Sequence, residues 1–418
     1  MTLSRNGCFA GVLAGVLTLW TVAFAQSSDK IDVGKMNATG LLVDNYSYMA
    51  QPYNFYYFHH MDELGFRNDV VRRGKHVYPL KEPVGKFSIK YSFHGAEHSL
   101  DEYLQRNFVT GFLVLHDDQI VFERYFHGAD QNSRFVSQSV GKSIVSILVG
   151  AAVSDGRIKS VNDPIVKYLP YLSNSGYRDA TIKNLLQMST GVEYSEDYRD
   201  PKSGAALIGA ALITGEPSFR AFAASMKATS TKPGTKFDYQ SVNTQVLGLL
   251  LEKVTGKRLN QYAEEKLWKK IGAQRDAFFY EGKEQPDTCA FACFNATVRD
   301  YGRVGLMMFD GGRLGDGVVI PESWVHDSTT PDADYLKPKP PDGKGPPRLG
   351  YGYQWWLPYS DDRVFEAIGI YGQSIYVDPA RHVVIVQTSA WPEALGGGPD
   401  LFEENAIVQD TIAHEVAP

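Results

Sequence analysis

A chain of 418 residues, 43% hydrophobic and 22% charged, is long enough for one large domain or two closely packed ones around a sizeable core. It carries no low-complexity tract and no fixed-period repeat, so its composition is that of a globular protein. A net charge of −6 is mild and gives no reason to expect nucleic acid or an anionic membrane surface as a partner.

The N-terminus stands apart. Arg5 is followed by "FAGVLAGVLTLWTVAFA" and then the polar "QSSDK". A positive start, an apolar run of this length and a small-x-small ending predict a secretory signal over residues 1–25, cleaved after Ala25. The run is short for a membrane span, so no stable membrane insertion is expected after cleavage, and the mature chain is expected in the periplasm or outside the cell. Residues 26–104, rich in aromatics as in "NYSYMAQPYNFYYFHH", are read as an extension wrapping a main body over residues 105–418. His59 and His60 lack the H-E-x-x-H pattern and are read as packing or surface residues.

From Gly111 the pattern sharpens. "GFLVLHDDQIVFERYFHG" predicts a hairpin around Asp117 and Asp118. Ser139 to Ser154 predicts a helix that is apolar on nearly every side and closed by Gly156, hence buried all round. Residues 157–330 read as a mainly helical lobe with long polar loops. The β pattern returns in "LGYGYQWWLP", "RVFEAIGIYG", "SIYVDP" and "HVVIVQTSA", with a turn at Asp378-Pro379, before an amphipathic helix in "ENAIVQDTIAHEV". The predicted class is α+β, a sheet assembled from both ends of the chain with a helical lobe inserted.

Within "FVSQSVGKSIVSILVG", Ser139 precedes Lys142 by three residues. Spacing alone says little, since roughly one or two such matches arise by chance in a chain of this length, and a second one, Ser27 to Lys30, has no supporting context. Position says more. Ser139 opens the buried helix, where free N–H groups favour developing negative charge, and Lys142 follows on the same face. A lysine held in apolar surroundings loses affinity for its proton and can take one from a serine hydroxyl. The competing reading, equal on this stretch alone, is a helix-capping serine beside a lysine that snorkels to solvent. "STKPGTKFDYQSVNTQVLG" tips the balance: Tyr239 follows a Pro-Gly turn and precedes an apolar helix, so its side chain can project into a cleft and relay a proton.

Together, "SVGK" on a buried helix, "TIKNLLQMSTG" and "PGTKFDYQSVNTQVLG" resemble the serine β-lactamase and penicillin-binding-protein superfamily, in its class C and esterase-like branch, over roughly residues 105–415. "MDELGFRNDVVRRG", "EYSEDYRDP" and "AIGIYGQSIYVDP" are similar to the 6-aminohexanoate-dimer hydrolase branch. The resemblance implies an antiparallel sheet flanked by helices. It also implies Ser139 as nucleophile, Lys142 as its base partner, Tyr239 as proton relay and the backbone N–H groups of Ser139 and Ile370 as oxyanion hole. Tyr198 and Ser241 are implied at the substrate.

Two departures narrow the activity. Ser241 stands where class C β-lactamases have asparagine, and Ala367, Ile368 and Gly369 replace a Lys-Thr-Gly motif whose cation grips a carboxylate. Loss of that cation argues against a β-lactamase or a D-alanyl-D-alanine carboxypeptidase as the main activity, and both departures agree with the 6-aminohexanoate-dimer hydrolase branch. The expected reaction is hydrolysis of short linear amides or carboxylic esters, without metal or organic cofactor. A β-lactamase or D-alanyl-D-alanine carboxypeptidase acting on cell-wall-type substrates is the first alternative and a non-catalytic binding protein on the same fold the second; association as a homodimer stays open. An α/β-hydrolase would need a G-x-S-x-G elbow, and "SQSVG" has Ser137 in the first glycine's place. Cys289 and Cys293 could form a small disulfide loop or pack as thiols on one helical face. No partner histidine accompanies them, and they are expected to be dispensable for catalysis.

Overall fold

The computed structural model describes residues 47–417 except 84, 316, 341–347, 361, 398 and 399. The expected signal segment and its cleavage point lie outside the described residues. Residue 47 onward forms short turns that bury Tyr48, Tyr57, Phe58 and Met61 in the main core. Then come β1 (Arg67–Val71), the hairpin β2 (Lys90–Phe93) and β3 (Ala96–Ser99), and α1 (Leu100–Arg106). Ser99 and Glu102 form a reciprocal capping box that starts α1.

The predicted hairpin is β4 (Val109–His116) and β5 (Gln119–Tyr125), antiparallel around Asp117 and Asp118. β6 (Phe135–Val136) leads into α2 (Val140–Ser154), which Gly156 follows with φ of 69°. The lobe that follows contains α3 (Ile182–Leu186), α4 (Gly204–Thr214), α5 (Phe219–Ser225), α6 (Ser241–Thr255) and α7 (Leu259–Ala263). Next are β7 (Ala277–Glu281), β8 (Phe294–Ala296), α8 (Val298–Phe309), the pair β9 (Arg313–Leu314) and β10 (Gly317–Val318), and α9 (Glu322–Thr329). The chain closes with β11 (Gly350–Tyr351), β12 (Trp356–Leu357), β13 (Phe365–Gly369), β14 (Gln373–Asp378), β15 (Val383–Ser389) and α10 (Asp400–Val416).

The main sheet has the order β11-β12-β13-β14-β15-β4-β5, every pair antiparallel, so strands from both ends of the chain meet where β15 pairs with β4. β4 is buried along almost its whole length and sorts its side chains by the two-residue period of a strand. Leu113 and Leu115 face the core shared with α2 and α8, while Phe112 and Val114 face a second core with Tyr103 of α1 and Val408 and Ile412 of α10. α8 lies close on the sheet because Gly302 and Gly305 face it: a Cβ at either would come within 2.9 Å of Leu113 or 2.5 Å of Val384. The fold is therefore the mixed helical and antiparallel-sheet architecture expected.

The stretch read as mainly helical also holds strands. β7 and β8 join β1 and β6 in a four-stranded sheet of order β1-β7-β8-β6. "AFFYE" is a short apolar run buried on both faces, and such a run has no alternation to mark it as a strand.

Candidate active site

At the start of α2, Ser139 does not act as a side-chain cap. The N–H groups of Val140, Gly141 and Lys142 donate to the carbonyls of Ser137, Gln138 and Ser139, a tight turn in which the backbone satisfies its own donors. The Ser139 hydroxyl makes no capping hydrogen bond. Gln138, just before it, has a φ of 45°, a strained conformation that aims the next residue. Lys142 does not snorkel: it is 1% exposed, and its Nζ lies 2.7 Å from Ser139 Oγ.

Nζ also donates to the Phe291 carbonyl at 2.9 Å, and it sits 5.2 Å from the centre of the Tyr239 ring. Burial lowers the Lys142 pKa from 10.5 to about 8, while the Glu196 carboxylate pulls the other way. A neutral amine fits these neighbours. One N–H serves Phe291, and the lone pair can accept the Ser139 proton.

Tyr239 is placed by its flanks. The Asp238 N–H donates to the Met188 carbonyl at 2.8 Å, and Gln240 Nε2 donates to the Val192 carbonyl at 2.9 Å. The "QMSTG" segment thus serves as the shelf on which the tyrosine loop rests. Gly191 allows the approach, with φ of 71° and space so tight that a Cβ would lie 2.2 Å from the Thr231 carbonyl oxygen. The Tyr239 ring stacks on Trp356 at 5.3 Å and meets Tyr351 edge-on. Burial first, then Glu196, raise the Tyr239 pKa, and interaction with the Ser139 hydroxyl eases it. The phenol therefore keeps its proton at neutral pH.

A cavity of about 1200 Å³ opens beside this group and brings Ser139, Tyr198, Ser241 and Ile370 to one surface. Its strongest polar anchor is Glu196, which the residue pattern did not single out although "EYSEDYRDP" contains it. Glu196 accepts from the Tyr198 hydroxyl at 2.8 Å, the Ser241 hydroxyl at 2.5 Å and the Ser241 N–H at 2.8 Å. It thus caps α6 and ties two expected substrate residues together; a carboxylate two residues before the tyrosine was the available signal. At Gly369 a Cβ would lie 3.0 Å from the Ser139 nitrogen, so the end of β13 packs directly on the helix start and delivers Ile370 beside it.

One wall is apolar, from Ala205, Ile208, Gly209 and Leu212 of α4, and Tyr48 and Met49 from the N-terminal segment contribute to the lining. At the mouth Arg199 pairs with Glu393 at 2.7 Å, both exposed. Cys289 and Cys293 lie in the loop between β7 and β8, disulfide-bonded rather than packed as thiols on a helix. Among the described residues no group of three or more His, Cys, Asp or Glu could hold a metal ion.

The Beta-lactamase family model matches residues 100–407. The chain belongs to the Beta-lactamase family. It is a homologue of the 6-aminohexanoate-dimer hydrolase of Paenarthrobacter ureafaciens, 31% identical over 305 residues that cover 70% of this chain and 76% of that one. An Escherichia coli K12 protein, provisionally named a D-alanyl-D-alanine carboxypeptidase, is 24% identical over 43% of this chain and 46% of its own. Solved structures share the fold. A Bacillus anthracis protein, provisionally named a 6-aminohexanoate-dimer hydrolase, superposes with a TM-score of 0.78 at 23% identity, covering 88% of this chain and 96% of that one. A family VIII carboxylesterase gives 0.54 at 17% identity, covering 75% and 95%. This family member is a hydrolase of the serine β-lactamase-like kind, and the resemblance to 6-aminohexanoate-dimer hydrolases holds across most of the chain.

Proposed function

We propose that the protein is an exported serine hydrolase that cleaves short linear amides or carboxylic esters through an acyl-enzyme on Ser139. The observation that carries this reading is the 2.7 Å approach of a buried Lys142 Nζ to Ser139 Oγ at a helix start. Lys142, neutral, takes the Ser139 proton as Oγ attacks the substrate carbonyl. The tetrahedral oxyanion forms against the backbone N–H groups of Ser139 and Ile370. Tyr239 passes the proton to the leaving amine or alcohol, and water then hydrolyses the acyl-enzyme by the reverse proton route.

Charge and shape support the substrate class. Besides Arg199, neutralised by Glu393, the charged groups at the cavity are the acids Glu196 and Asp197, a poor welcome for the carboxylate of a penicillin or a peptide terminus. The α4 wall suits an uncharged alkyl chain.

Incubation with a fluorophosphonate, followed by peptide mass spectrometry, tests the nucleophile. An adduct on Ser139 alone is expected, and full activity in Ser139→Ala would overturn the reading. Butyrate esters and linear amides should turn over faster than penicillins; the reverse order would refute the substrate class and leave the nucleophile standing. N-terminal sequencing of exported protein should start at Gln26, and an intact Met1 in a membrane fraction would refute export.

A further inference from the structure

The connection between β7 and β8 carries a five-residue ring, Cys289 to Cys293, closed by a disulfide with the two Cα atoms 5.8 Å apart. Extended chain would span about 13 Å over those four steps, so the closed ring must bulge. Phe291 is at the middle of that bulge, and its carbonyl is the one that accepts from Lys142 Nζ at 2.9 Å. Neighbours hold the rest of the ring. The Ala290 N–H donates to Gln245 Oε1 at 2.9 Å, Gln245 Nε2 donates to the Thr288 carbonyl at 2.8 Å, and Ser137 Oγ donates to the Ala292 carbonyl at 3.2 Å. Gly248 of α6 faces Ala290 so closely that a Cβ there would lie 2.5 Å from the alanine's own.

We propose that the Cys289–Cys293 disulfide is a positioning device for the base: it holds the Phe291 carbonyl on Lys142 and so keeps the amine's lone pair on Ser139. This rests on the proposed role of Lys142. Both sulfurs are fully buried, and the entropy that a crosslink removes from the unfolded chain grows with loop length, so a ring this small acts locally more than globally. This role would make both cysteines matter for catalysis, against the expectation that they are dispensable.

Opening the ring frees the Phe291 carbonyl and admits water to Lys142. The charged and titratable groups that face Lys142 are Glu196 and Tyr239, neither of which sits on the ring, so the change reaches the lysine through hydration and position. Less burial raises the lysine's proton affinity. Because the reaction needs the neutral amine, the acidic limb of kcat then moves to higher pH.

The test compares full-length wild type in its disulfide form, wild type made in a reducing cytosol with both thiols confirmed by mass, and Cys289→Ala/Cys293→Ala. Oxidised glutathione closes the dithiol form: two electrons and two protons leave the cysteines, and the reagent becomes two molecules of glutathione. On p-nitrophenyl butyrate, both open forms should lose roughly ten- to a hundredfold in kcat at neutral pH with little change in KM. Their acidic limb should lie at higher pH, and oxidation should restore the dithiol form but not the double alanine. An open form with kcat and limb like the disulfide form overturns the proposal, as does a lower kcat with the limb unmoved. Lys142→Ala separates the two claims. If it stays active, the base assignment itself fails; if it is dead while the open forms match wild type, only the disulfide's role fails.

Discussion

The Glu196 carboxylate holds Ser241 from two directions, accepting from its backbone N–H at 2.8 Å and from its hydroxyl at 2.5 Å. This places a negative charge at the N-terminus of α6, where the unpaired N–H groups of a helix favour it. It also places that charge near enough to Lys142 to favour the ammonium against the pull of burial. Removing the charge while keeping the shape should therefore lower the lysine's pKa further. In Glu196→Gln the acidic limb of kcat is expected to lie at lower pH than in wild type, with a higher KM as Tyr198 loses its charged partner. A pH–rate profile measures both; a limb displaced upward would contradict the electrostatic account.

Tyr239→Phe removes the hydroxyl but keeps the ring on Trp356. The expected result is a fall in kcat of about 10²- to 10⁴-fold, the usual weight of a positioned proton donor. The melting temperature should hardly change, because stacking and burial persist. Combined with Lys142→Ala, the losses should fall far short of adding, since the groups act as a unit. Steady-state kinetics on a butyrate ester with parallel thermal melts would show a purely structural role if both quantities fell together.

Glu366 on β13 is a buried carboxyl whose Oε1 accepts from Gln409 of α10 at 2.8 Å. Burial raises its pKa from 4.5 to about 7, so between those values the folded state holds a proton that the unfolded state has released. Stability from this group is full below about 4.5 and is lost as pH rises to about 7, by an amount on the order of 3 kcal/mol. Glu366→Gln keeps an acceptor for Gln409 and removes the titration. It should raise the melting temperature at pH 8 and flatten its slope between pH 5 and 7, as calorimetry across that range would show.

Gly191→Ala should destabilise the fold by about 1–3 kcal/mol, because the residue has left-handed φ and a Cβ would strike the Thr231 carbonyl. It should also lower kcat, since the shelf under the Tyr239 loop moves with it. Gly256→Ala provides the contrast: its φ is 69° but nothing lies within 4 Å of a Cβ there. That variant should cost some stability and leave kcat intact, which denaturant melts and initial rates can verify.

What could be read without coordinates was periodic or local. The hairpin around Asp117 and Asp118, the mostly apolar helix behind Ser139 and the C-terminal strands each carry their pattern in adjacent residues, because side-chain period follows backbone geometry. Ser139, Lys142 and Tyr239 stand out as candidates in the sequence because their motifs resemble a known family and Ser139 and Lys142 open an apolar helix. Only tertiary structure could show that Ser139 makes no cap bond and that Lys142 is buried beside it, since a cap and a buried pair share one sequence and differ in what covers them. It also decided the contacts made by backbone atoms and by residues far apart in the chain. The Phe291 carbonyl reaches a lysine 149 positions away, and its side chain carries no mark of that contact. Glu196 meets Ser241 across 45 positions. β7, buried on both faces, had no alternation to betray it. Local pattern records what one element needs from solvent and core, whereas a site is made where elements meet, and only packing determines which loops arrive there.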